Sequence, residues 1–148
     1  MSRLVRYKQS DLKSVRRFFN EVGLNDQDVF YDLGCGEGWV LLIAALEFGV
    51  RKAVGVEIRR ELVSPLLYEY DNVEIRLEDL HCSDFSDATF IYMYLSTEYV
   101  WRLQEKLLNL DKCTVVSNDF PLIEVSPDQV YKINRSTYYV YYIGGEDE

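Results

Sequence analysis

Val29-Phe-Tyr-Asp-Leu-Gly-Cys-Gly-Glu-Gly-Trp39 decides the fold. Val29, Phe30, Tyr31 and Leu33 form a short apolar run with β-branched and aromatic content, which reads as a buried strand. Gly34, Gly36 and Gly38 follow, interleaved with Cys35 and Glu37. Glycines turn the backbone sharply and let a ligand approach it closely. Val40-Leu-Leu-Ile-Ala-Ala-Leu46 then continues a helix over about 37–48, with Gly49 as its stop. Strand, glycine turn and helix make the opening half of a βαβ unit.

The glycine spacing and its neighbours select the ligand. A dinucleotide turn uses G-x-G-x-x-G, and that pattern set on Gly34 and Gly36 puts Trp39 where close helix–strand packing needs a small residue. Asp32 and Glu37 also flank the turn. A helix N-terminus attracts phosphate, but two carboxylates beside it oppose one. S-adenosylmethionine has no phosphate and carries a sulfonium and an ammonium against one carboxylate. The turn therefore points to S-adenosylmethionine.

The chain of 148 residues suits one domain spanning 1–148. Its 48% hydrophobic and 28% charged content are those of a soluble globular protein. The sequence has no run of apolar residues long enough to span a bilayer, and Met1–Lys8 lacks the apolar centre of a signal peptide. A cytoplasmic monomer with no membrane association is expected. The net charge of −9 opposes binding to nucleic acid and favours basic, lysine-bearing protein partners. Cys35, Cys82 and Cys113 are scattered, and with the single histidine His81 they form neither a zinc pattern nor a disulfide framework, so no metal is expected.

Along the chain, Asp11 to Glu21 reads as a helix capped by Ser10 and ended by Gly23, with Leu12, Val15, Phe18, Phe19 and Val22 at helical spacing. Lys52–Glu57 is a second strand, followed by a short helix from about Arg59 to Tyr70 that Pro65 shortens or kinks. Strands are expected at Asn72–Leu77, Ala88–Leu95 and Cys113–Ser117, with a helix at Thr97–Leu110. Gln129–Ile133 and Ser136–Ile143 close the chain as a hairpin turning at Asn134-Arg135. This order predicts an α/β, Rossmann-like, doubly wound, mostly parallel seven-stranded sheet with an antiparallel C-terminal hairpin strand.

Ligands bind such sheets beyond the carboxyl ends of the strands. The second strand ends in Glu57, at the distance from the turn where an acidic residue accepts ribose hydroxyls. The third ends in Glu78-Asp79-Leu80, where Asp79 beside apolar Leu80 suits adenine. The fourth ends in Tyr92-Met-Tyr-Leu-Ser96 and the fifth in Ser117-Asn-Asp-Phe-Pro121.

The chain resembles class I, seven-strand S-adenosylmethionine-dependent methyltransferases, and more closely the small archaeal protein-lysine methyltransferases related to the non-SET histone-lysine enzymes. Val29–Gly38, Lys52–Glu57, Asp84–Thr89, Val116–Phe120 and Tyr139–Gly144 carry the resemblance. It implies cofactor contacts at Asp32, Gly34, Cys35, Gly36, Glu57, Ile58, Asp79 and Leu80. It also implies acceptor contacts from the ends of the fourth and fifth strands and from the N-terminal segment, where Tyr7 lies over the cofactor.

A lysine acceptor must arrive neutral, although its free amine titrates near about 10.4, and desolvation among aromatic rings lowers that value. Tyr94, Tyr7 and Tyr142 are the candidate channel residues, and Asp119 the candidate to orient the amine. The strand-four end is not the Asn/Asp-Pro-Pro-Tyr/Phe that planar amino groups meet. The alternatives are a small-molecule or RNA methyltransferase, and a non-catalytic cofactor-binding or assembly protein.

Overall fold

A computed structural model describes residues 9–145. Its centre is a seven-stranded sheet in the order β3-β2-β1-β4-β5-β7-β6. The strands are β1 (Val29–Leu33), β2 (Lys52–Val56), β3 (Val73–Arg76), β4 (Phe90–Met93), β5 (Lys112–Asn118), β6 (Gln129–Ile133) and β7 (Ser136–Gly144). The first five pair in parallel; β7 runs antiparallel to β5 and carries β6 as the edge. This is the expected doubly wound arrangement, with the order reversing between β1 and β4.

Alternation along the strands divides the core into two layers. Phe30, Phe90, Tyr92, Val116, Tyr138 and Val140 face α1 (Leu12–Val22) and α2 (Trp39–Leu42). Tyr31, Leu33, Ile91, Met93, Val115 and Tyr141 face α3 (Thr97–Leu108). Phe19 of α1 is fully buried and meets Phe30, Phe48, Phe90 and Tyr92 edge-on at 5.5–5.9 Å, the favoured geometry for ring quadrupoles.

Several local expectations are corrected. Asp11, not Ser10, stands at the α1 N-cap; its carboxylate accepts from Ser14 Oγ (2.9 Å), while the Ser10 hydroxyl pairs with Tyr92. The helix expected near 37–48 is one α-turn followed by a π-turn over Ile43–Glu47. The helix expected from Arg59 to Tyr70 is two short 3₁₀ turns, Arg60–Leu62 and Pro65–Glu69. Proline lacks an N–H and clashes with the preceding turn, so Pro65 opens the second turn behind the Ser64 cap. Among the described residues no helix is long and apolar enough to cross a membrane.

Candidate active site

Register gathers the site. Leu33 pairs with Val56 and with Met93, and Met93 pairs with Ser117. The next residues, Gly34, Glu57, Tyr94 and Asn118, therefore emerge side by side at the carboxyl edge of the sheet. The glycine turn is tied down there: Gly34 N and Cys35 N both donate to Val56 O (2.8 and 3.0 Å). Gly36 N donates to Glu57 Oε1 (2.8 Å) and Arg59 N to Glu57 Oε2 (2.9 Å). One buried carboxylate thus clamps the turn after β1 to the loop after β2, and lone pairs remain on both oxygens.

Close packing explains two glycines. Gly38 has φ +97°, and a Cβ there would lie 2.5 Å from Leu67 Cδ1. Gly34 has φ +83° and passes under Leu95, which a Cβ would meet at 2.8 Å.

Six of the expected residues, Gly34, Glu57, Ile58, Asp79, Leu80 and Tyr94, line one cavity of about 320 Å³. Asp79 Oδ1 accepts from His81 N (2.9 Å) and from His81 Nδ1 (3.0 Å), capping the turn Leu80–Cys82 and holding this carboxyl below its ordinary range. Ile58, an exposed apolar side chain, faces this cavity with Leu80. Phe120, from the expected strand-five end, and two residues beyond the motifs, Tyr99 and Arg102, one turn apart on α3, complete the wall. The spacing of Tyr99 and Arg102 was available as a signal, but only their packing identifies the face they present. Phe120 stacks on Tyr94 with ring centroids 6.4 Å apart, joining the ends of β4 and β5 in an aromatic wall.

A second, small cavity of about 20 Å³ is lined by Gln9, Ser10, Asp32, Cys35, Trp39, Val40, Tyr92, Gly34 and Tyr94. Gly34 and Tyr94 border both cavities. Asp32 is only 4% exposed, and among the described residues no hydrogen bond reaches its carboxylate. Burial, and then the neighbouring Glu57 charge, push its pKa up to about 8. A buried carboxyl without a counter-ion, next to a second carboxylate, favours a cationic ligand. The donor set and the glycine cradle together fit a sulfonium nucleoside carrying an amino-acid end.

Not all expected residues converge. The Cys35 thiol is buried, and a Cβ on Gly55 of β2 would lie 2.7 Å from its sulfur; burial raises its pKa, so the backbone of Cys35 shapes the turn while its thiol stays protonated. Gly36 acts through its N–H on Glu57. Asp119 lines neither cavity. It has φ +67°, its N donates to Thr137 O (2.7 Å), and its Oδ1 accepts from Thr137 N (3.0 Å). Tyr142 is removed from the site: it pairs with Thr114 at the start of β5, the opposite end of the sheet, and its hydroxyl donates to Gln129 Oε1 (2.9 Å). Tyr7 lies outside the described residues.

Residues 32–129 match the family model of the ANTKMT methyltransferase domain. The sequence is 35% identical to a protein-lysine N-methyltransferase of Saccharolobus islandicus, across 95% of this chain and 94% of that one. Among solved structures, an RNA methyltransferase of Salinibacter ruber in complex with S-adenosyl-L-homocysteine superposes with a TM-score of 0.84 at 29% identity, covering 96% of this chain and 97% of that chain. A methyltransferase of Aquifex aeolicus shares the fold alone, with a TM-score of 0.68 at 15% identity over 91% and 93% of the two chains.

Proposed function

The chain belongs to the ANTKMT methyltransferase family, and from that premise we propose that it methylates lysine side-chain amines of proteins. It is an S-adenosylmethionine-dependent methyltransferase. The observation that supports a lysine acceptor is the Tyr94–Phe120 wall, which stands where the two cavities meet at Gly34.

The cofactor supplies an electrophilic methyl group next to a good leaving sulfur; the chain supplies position and dielectric. Glu57 receives the ribose hydroxyls on its remaining lone pairs, and the second oxygen of Asp79 receives the adenine amine. Ile58 and Leu80 enclose the ring, Asp32 faces the cationic end, and Gly34, Cys35 and Gly36 bring the backbone close. At the other side, Tyr94 and Phe120 strip water from the incoming lysine stem, which favours the neutral amine. Asp119 lines neither cavity; next to Phe120 in the chain and held by Thr137 N through one oxygen, it is the carboxylate that would orient the amine with the other. The acceptors are basic proteins, and the enzyme, a cytoplasmic monomer in this reading, has little affinity for nucleic acid; the −9 charge supports the basic acceptors and the weak nucleic-acid binding.

Methyl-labelled cofactor incubated with the purified protein and a heat-treated cell extract tests the reading, with modified residues identified by mass spectrometry. Label on protein lysines is expected. A second reading, RNA methylation, has the Salinibacter ruber likeness in its favour; label recovered only in RNA would establish it and sink the first. Cofactor binding with no transfer to any fraction would leave a binding protein.

A further inference from the structure

Three buried side chains hold the backbone of the loop after β5. Ser117 Oγ donates to Phe120 O, and Leu122 N donates to Tyr141 Oη (2.9 Å). Gln104 clamps Ile123 twice, its Nε2 donating to the carbonyl and its Oε1 accepting from the N–H (2.7 Å each). Ser117, Tyr141 and Gln104 come from β5, β7 and α3. A loop fastened in this way is preorganised, so a ligand need not order it. The next residue, Glu124, is exposed and has φ +59°. Glycine adopts that left-handed backbone freely, whereas a residue with a Cβ is strained there. Strain of this kind persists where the surroundings impose it, and it gathers at ligand-binding places. What glutamate adds over glycine is a carboxylate, and among the described residues no hydrogen bond or ion pair engages it.

The same loop joins this carboxylate to the aromatic wall. Phe120, which stacks on Tyr94, precedes Glu124 by a stretch of chain that spans at most about 14 Å. Trp101 flanks the loop from the helix. It lies one turn before Gln104 on the same face of α3, hence beside the clamp on Ile123, and it is 59% exposed. A lone exposed indole is ordinary on a surface. Beside a fixed loop and an unengaged carboxylate it completes a seat for a cation, since an indole face attracts positive charge. Glu98 and Glu105, both exposed on α3, keep the surroundings acidic, and Glu98 reaches Arg102 only at 3.6 Å.

We propose that Glu124 and Trp101 select the acceptor site by receiving a basic side chain that lies within about four residues of the methylated lysine. This rests on the protein-lysine reading above. With the lysine against the Tyr94–Phe120 wall, an extended acceptor segment rising about 3.3 Å per residue covers the span from Phe120 to Glu124 over that length. The net charge of −9 draws basic proteins in general; this seat distinguishes one lysine from another on the same protein.

Short peptides of alanine, glycine and serine test this, each carrying one lysine and a single arginine stepped outward from it on either side. The readout is kcat/KM for each peptide relative to the arginine-free parent. Arginine at a favoured offset is expected to raise that ratio by about five-fold, the combined worth of an exposed ion pair and a cation–π contact. Glu124→Gln should abolish the preference and Trp101→Ala should lower it in part, with S-adenosylhomocysteine affinity and unfolding midpoints kept. Glu124→Lys should transfer the preference to glutamate at the same offset, which a purely structural role would not do. No preference in the unaltered protein, or one that survives Glu124→Gln, would overturn the seat. Where only whole proteins are methylated, the residues flanking their modified lysines supply the same comparison. Lysine methylation without a preference removes this proposal alone; absence of label from every lysine removes the lysine reading as well.

Discussion

Asp32 shows how one side chain carries information about its ligand. Its carboxyl is buried without a hydrogen bond among the described residues, and its pKa rises to about 8. In the unfolded chain it titrates near 3.8. Between those values the native state holds a proton that the unfolded state has released, so this group's contribution to stability declines as pH rises from about 4 to 8. Asp32→Asn should flatten that part of the stability curve, read from urea midpoints at a series of pH values; an unchanged slope would remove the argument. A cationic ligand reverses the preference. Below pH 8 cofactor binding should release a proton, and affinity should rise with pH until it levels near 8. Calorimetry in buffers of different ionisation enthalpy reads the proton directly. Asp119 gives a second prediction at this scale. Its positive φ suits Asp and Asn better than Ala, so Asp119→Asn is the informative change. Folding and S-adenosylhomocysteine affinity should survive while turnover falls by about ten-fold or more, the loss expected of a charged acceptor. Full turnover would show that Asp119 serves only to fasten β5 to β7.

At the scale of elements, the glycine turn and α2 depend on distant partners. Asn72 Nδ2, just before β3, donates to two part-buried carbonyls, Ala45 O within the π-turn (3.3 Å) and Val50 O just after it (3.1 Å). Asn72→Ala strands both and should cost about 1–3 kcal/mol in chemical denaturation. Gly38→Ala should be worse in effect on the site. The left-handed backbone costs about 1–2 kcal/mol for a residue with a Cβ, and the methyl collides with Leu67, so the turn that Glu57 clamps must shift. The measurable outcome is a lower unfolding midpoint together with weakened S-adenosylhomocysteine binding; normal binding would mean that the turn tolerates the displacement. The loop carrying Leu67 illustrates a limit of pattern reading. Its apolar residues resemble a helix, but Pro65 and Ser64 divide it into two 3₁₀ turns, and Leu67 is buried against Gly38 rather than along a helix face.

For the whole molecule, charge sets how substrates arrive. A net charge of −9 attracts basic proteins over a distance that salt shortens, to about 10 Å at 0.1 M. With a lysine-rich protein acceptor, kcat/KM should fall several-fold between low and high ionic strength while kcat changes little. A salt-independent kcat/KM would show that contact, not steering, selects the acceptor. The two cavities that meet at Gly34 and Tyr94 also belong to this scale, since the larger is lined from the ends of five strands, β1 to β5, and the smaller from those of β1 and β4 together with the approach to α1 and the start of α2.

Local signals in the sequence determined the strand order's raw material, the glycine turn and the carboxylates Asp32, Glu57 and Asp79 that line the two cavities. Asp32, Glu57 and Asp79 were legible because Asp32 lies one residue before the end of β1 and the other two follow β2 and β3, strands whose apolar pattern is set by short-range preferences. The same logic failed for Tyr142, whose type matched but whose place on an antiparallel strand put it at the wrong end of the sheet. Tyr99, Arg102 and the stacking of Phe120 on Tyr94 were decided by tertiary structure alone. Their partners lie far away along the chain, and a hydrogen bond or ring contact between such residues exists only once register and helix packing bring them together. Sequence spacing records what the backbone does next, whereas the Tyr94–Phe120 wall and the α3 face beside it are built from residues that become neighbours only in the fold.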